Sequence, residues 1–105
     1  MNGVALRSVI EAFIENGGTV IGMFHGHTHW DNMGKHSEIN GFYEISTATS
    51  SCYQRASSVP EGAIFPERAK HTVTQELWDL VVVTPSTRTV KMIRFGAGED
   101  REFTY

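Results

Sequence analysis

His25, His27 and His29 occupy alternate positions, and Asp31 continues the alternation. In an extended chain such residues share one face at a spacing of roughly 6.5–7 Å. Imidazole nitrogen is a common ligand of Zn, Mn and Fe, and a carboxylate adds charge and orientation. The spacing therefore makes His25, His27, His29 and Asp31 candidate metal ligands on one surface. The competing interpretation is a polar surface loop that happens to hold histidines. A purification tag would be terminal and uninterrupted, and this cluster is neither.

The elements that must position the cluster are legible in outline. Leu6, Val9, Ile10, Phe13 and Ile14 fall at helical spacing opposite Arg7, Glu11 and Glu15, which predicts an amphipathic helix over 3–16. Asn2 is a candidate N-cap, and Asn16-Gly17-Gly18 a helix stop. A strand over 19–24 follows and leads into the histidines. The cluster thus lies at the C-terminal end of a strand, where open α/β sheets place their ligands. Asn40-Gly41 predicts a two-residue hairpin between Glu38-Ile39 and Phe42-Tyr43, with a strand over 43–49. Residues 50–72 form a long connection of the kind that lies over functional faces. The apolar run of 77–84 predicts a buried strand, Pro85-Ser86-Thr87-Arg88 a turn, and 89–95 its hairpin partner. Gly96 to Arg101 reads as a charged tail. The expected fold class is α/β (α+β). It has one N-terminal helix, then a mainly single mixed or antiparallel sheet with hairpins, in one domain spanning 1–105.

Composition narrows the class. The chain has 105 residues, 40% apolar and 20% charged, which suits a globular fold. Its net charge of −3 gives no basic face for nucleic acid. The longest aliphatic run, Leu80-Val81-Val82-Val83, is far short of the roughly 20 residues a membrane helix needs. The N-terminus carries no secretory pattern. Cys52 is the single cysteine, which excludes an internal disulfide and a cysteine-based zinc finger and fits a reducing, cytoplasmic compartment.

Gly26-His27-Thr28-His29 resembles the G-H-x-H motif of calcineurin-like metallophosphoesterases. The helix and strand before it, Leu77-Trp78-Asp79-Leu80-Val81-Val82 and the segment Arg94 to Arg101 are similar to the closing portion of bacterial members. The resemblance implies that His27 ligates the second metal and His29 the first, in a site with two divalent transition-metal ions (Mn, Fe or Zn). It implies a phosphoester substrate, hydrolysed by metal-activated hydroxide. It also implies a sandwich of two sheets with helices outside, of which this chain forms the C-terminal part. His25 and Asp31 remain unassigned candidates for fixing the ligating histidines.

The family also carries an earlier D-x-H, a G-D-x-x-D, a G-N-H and one more upstream histidine. The only aspartates here are Asp31, Asp79 and Asp100, and none matches those motifs. Little metal binding and no appreciable phosphatase activity are therefore expected of the chain alone. A partial sandwich would leave an apolar sheet face bare, so a homodimer or larger assembly is expected. Two alternatives stay open: a non-catalytic metal-binding or oligomerising module using His25, His27 and His29 with Asp31 on one ion, and a degenerate reading frame without biochemical role.

Other residues give weaker signals. Ser50, Ser51, Cys52 and Ser58 lack a G-x-S-x-G elbow, and Gly96-Ala97-Gly98 lacks the Gly-Lys-Ser/Thr of a phosphate loop. His36 and His71 sit among polar neighbours and are expected at the surface. Trp30 could line a pocket or pack on the sheet. Phe42, Phe65, Trp78 and Phe95 are expected in the core.

Overall fold

The computed structural model describes residues 3–35, 37, 39–50 and 59–105. Asn2, His36, Ser51, Cys52 and Ser58 lie outside the described residues. Among the described residues the architecture is mixed α+β, with one α-helix, a single 3-10 turn at Val73–Gln75 and two three-stranded sheets.

Helix α1 spans Gly3–Glu15. Its end follows the sequence signal: Gly17 takes φ +91°, and the N–H groups of Gly17 and Gly18 donate to the carbonyls of Ile14 and Phe13 at 3.0 and 2.9 Å. That arrangement satisfies carbonyls the last turn would leave unpaired. The helix buries none of its residues. Arg7 donates to both carboxylate oxygens of Glu44 (2.7 and 2.9 Å), while Val4, Val9 and Phe13 stay exposed.

The first sheet contains β1 (Met23–His25), β2 (Asn32–Lys35) and β3 (Tyr43–Ser46), in the order β1-β3-β2. β1 runs parallel to β3 and β2 antiparallel to it. The strand expected over 19–24 is shorter and later, because its ladder begins only where β3 offers Glu44 to Met23. β3 likewise stops at Ser46 instead of running to Thr49. Beyond it the Ala48 N–H donates to the Asp31 carboxylate, and the Thr47 hydroxyl to Asp79, so side chains replace the ladder. The two-residue hairpin expected at Asn40-Gly41 is not seen among the described residues, Glu38 of its first flank lying outside them. Lys35 pairs with Tyr43, so the β2–β3 connection is residues 36–42.

The second sheet is an antiparallel meander of β4 (Leu77–Thr84), β5 (Thr89–Gly96) and β6 (Arg101–Thr104). The expected single sheet is thus two, and the expected tail contains a strand. The sheets meet through Ile45 of β3 against Val90 and Met92 of β5 and Phe103 of β6. Smaller packing of Ala48, Leu77 and Ala97 continues the core. This covers β5 and β6 but leaves β4, an edge strand, largely outside. Leu80, Val81, Val82 and Val83 are 38–53% exposed, contrary to the buried strand expected. An uninterrupted apolar run reports that both faces of a strand are apolar, not that both are covered.

Candidate functional site

Ser46 is the register partner of His25 on one side and of Asn32 on the other. Residues 26–31 therefore arch over the C-terminal end of β3, from one flank to the other. The arch is pinned at its far end. The fully buried Ser46 donates its hydroxyl to the Trp30 carbonyl at 2.9 Å. Asp31 exchanges both backbone hydrogen bonds with Ile64, each 2.7 Å. The Asp31 carboxylate accepts from the Ala48 N–H at 3.0 Å.

Within the arch His27 and His29 have φ values of 79° and 66°. These are left-handed conformations that L-residues adopt at a cost, and their occurrence at two of three consecutive positions is unusual. The backbone is therefore not extended, and the expectation that His25, His27, His29 and Asp31 share one face does not hold. The structure brings together His27 and His29, whose rings stand edge to face with centres 6.5 Å apart. His25 is exposed in β1. Asp31 is 6% exposed and turned to a cation instead. Among the described residues no three His, Cys, Asp or Glu side chains converge on a point that could hold a metal ion.

The donor set is thus two imidazoles. Zinc takes three protein ligands in catalytic sites and four in structural ones, at about 2.0–2.1 Å from nitrogen. Two rings on one tetrahedral ion would have centres about 5 Å apart by that bond length, closer than the 6.5 Å seen here. Among the described residues the pair does not make a complete metal centre.

Beneath the arch lies a charge network that joins the sheets. Arg94 of β5 donates to both oxygens of Asp31 (2.8 and 3.0 Å) and, from Nε, to Asp79 Oδ1 (2.7 Å). Arg101 donates to Asp79 Oδ2 (2.9 Å), the Thr47 hydroxyl (3.0 Å) and the Ser46 carbonyl (2.9 Å). Burial acts to raise the Asp79 carboxyl, but hydrogen bonds from Arg94 and Thr47 and the charges of both arginines outweigh it and hold it below the usual carboxylate value. Burial likewise lowers Arg94, and its hydrogen bonds and charge pairing with Asp79 and Asp31 more than reverse this. Gly96-Ala97-Gly98 closes over the same arginine. The Ala97 carbonyl accepts from Arg94 at 2.8 Å, and Gly98 sits at φ +91° where a Cβ would strike the guanidinium. This segment caps a cation rather than cradling a phosphate or forming a tail.

Arg94, Arg101 and Asp79 went unassigned in the sequence, although a signal existed. Asp79 interrupts an apolar strand, and a charge in such a run needs a partner when buried. Arg68 was also missed. It donates to the carbonyls of Thr49, Ser50, Thr74 and Gln75, tying residues 68–75 to the chain after β3. Phe42 is in the core as expected, but Trp78 and Phe95 stack on each other at 5.1 Å on an exposed face. Phe65 and Trp30 are half-buried, and His71 is exposed as expected.

The fold and site so described define a small α+β unit with a two-histidine arch over a buried ion network. Comparison with protein-family models, curated proteins and solved structures gives no match. No helix among the described residues is long and apolar enough to cross a membrane.

Proposed function

We propose that the chain contributes His27 and His29 to the two-metal centre of a phosphoesterase of the calcineurin-like class, as the C-terminal part of its sandwich. The observation that carries this is the pair itself. Two imidazoles stand 6.5 Å apart at the C-terminal end of parallel strands, on backbone in the left-handed region. Ions of a two-metal site lie about 3.5–4 Å apart, and one ring on each gives a wider spacing than two rings on one ion. Such ions, Mn, Fe or Zn, supply an acidified water and charge neutralisation at phosphorus. The residues of this chain hold and orient; two imidazoles without a bridging carboxylate leave it inactive alone.

Bare apolar surface supports the partial-sandwich reading. The radius of gyration is 15.1 Å, against about 13 Å for a compact domain of this length. The outer face of β4 and β5 and one side of α1 carry exposed apolar side chains. In the isolated chain these faces favour a homodimer or larger assembly.

The test uses p-nitrophenyl phosphate with Mn2+ or Zn2+. The 105-residue chain gives no chelator-sensitive turnover. A longer protein that adds D-x-H, G-D-x-x-D and G-N-H motifs turns over, and H27N or H29N abolishes it. Undiminished activity of those variants in the longer protein removes the proposal.

A further inference from the structure

We infer that Asp31 is the positioning residue of the His27–His29 pair, acting through its ion pair with Arg94; this rests on reading those imidazoles as metal ligands. No hydrogen bond to either imidazole is seen among the described residues, and the two rings contact each other edge to face. Metal-ligating histidines are ordinarily fixed by a direct bond to the second ring nitrogen, and no such bond is seen among the described residues. Their backbone lies in the left-handed region, which non-glycine residues keep only when the surroundings over-determine it.

The surroundings that do so converge on Asp31, two residues after His29. Both of its backbone groups are bonded to Ile64, and its carboxylate is held by the Ala48 N–H and by the Arg94 fork. Arg94 is itself held by Asp79 and the Ala97 carbonyl, with its side chain 2% exposed. The end of the arch is therefore bolted to the second sheet, whereas His27 and His29 lie in the part before it, for which no backbone hydrogen bond is seen among the described residues. Asp79 engages the same arginine from β4, which makes it a control. Removing either carboxylate breaks one Arg94 ion pair, but only Asp31 is continuous with the arch.

The experiment compares D31N with D79N in the full chain. Two readouts are used: the ring-to-ring nuclear Overhauser contact between His27 and His29 without metal, and the affinity for Zn2+ alone. D31N loses the ring contact and weakens Zn2+ binding at least tenfold, the range seen when supporting partners of metal ligands are removed. D79N keeps the contact and binds Zn2+ within about twofold of wild type, well short of that range. Equal effects of the two variants, or an unchanged ring contact in D31N, overturn the inference. Should D31N not fold, R94K carries the test, because a lysine keeps the charge but cannot hold both oxygens of Asp31 in a planar fork. A retained ring contact in R94K then overturns the inference. Zn2+ affinity unaltered by the H27N/H29N double variant would remove the metal-ligand reading, while the ring contact still decides what positions the pair.

Discussion

Arg94 and Asp31, 63 positions apart in the chain, meet in a two-pronged ion pair at 2.8 and 3.0 Å with side chains 2% and 7% exposed. The pair fastens the second sheet to the end of the histidine arch. A buried pair of this kind contributes little net stability as a whole, yet is costly to break from one side.

Replacing Arg94 by Met removes the cation that Asp31 and Asp79 share and leaves them only Arg101, at 3.7 and 2.9 Å. The expected loss is about 3–5 kcal/mol, read as a fall in the urea midpoint at pH 7. Arg94→Lys keeps the charge but cannot reach both carboxylates with a planar fork, so it recovers only a minor part. A wild-type midpoint for R94M would show the network to be energetically idle.

Asp79 gives the acid limb of the stability curve. Its value in the fold lies below that of the unfolded chain, about 3.9, so the folded state favours the ionised form. The contribution is complete above the unfolded value and is lost as pH falls through the lower folded one. Urea midpoints measured from pH 7 to pH 2.5 should drop below about pH 4, and D79N should flatten that drop. Parallel curves for the two proteins would count against it.

His27 at φ 79° favours glycine over alanine. H27G should be more stable than H27A by about 1–2 kcal/mol, the cost of the left-handed region for a residue with a Cβ. Both variants lose the imidazole and whatever Zn2+ affinity depends on it. Thermal melting of the pair measures the difference, and equal midpoints would mean that the arch relaxes freely.

Trp78 and Leu80, 51% and 53% exposed beside Phe95 and Ile93, form the bare outer face of the second sheet. Sedimentation of the wild type should show dimers or larger species. W78E/L80K should shift the chain toward monomer, since it places charge on the surface that would be covered. A monodisperse wild-type monomer would remove this expectation.

Local order was legible wherever local chemistry decides it. The α1 stop at Gly17, the β4–β5 hairpin around Pro85 to Arg88 and the core position of Phe42 follow from chain stiffness and apolarity. The hairpin read at Asn40-Gly41 failed because the pairing of Lys35 with Tyr43 overrode a turn preference of neighbouring residues. Trp78 was misplaced because apolarity alone does not say which face another element covers.

From residue order alone came the histidine-rich segment, its place after a strand and the shortage of carboxylates that could join it. Alternation along the chain could not say which of the four donors would meet, since that depends on φ at His27 and His29. Nor could it say that Asp31 would turn from them to an arginine 63 positions away. Those outcomes belong to the packing of two sheets, because a buried carboxylate takes whichever cation the fold delivers to it.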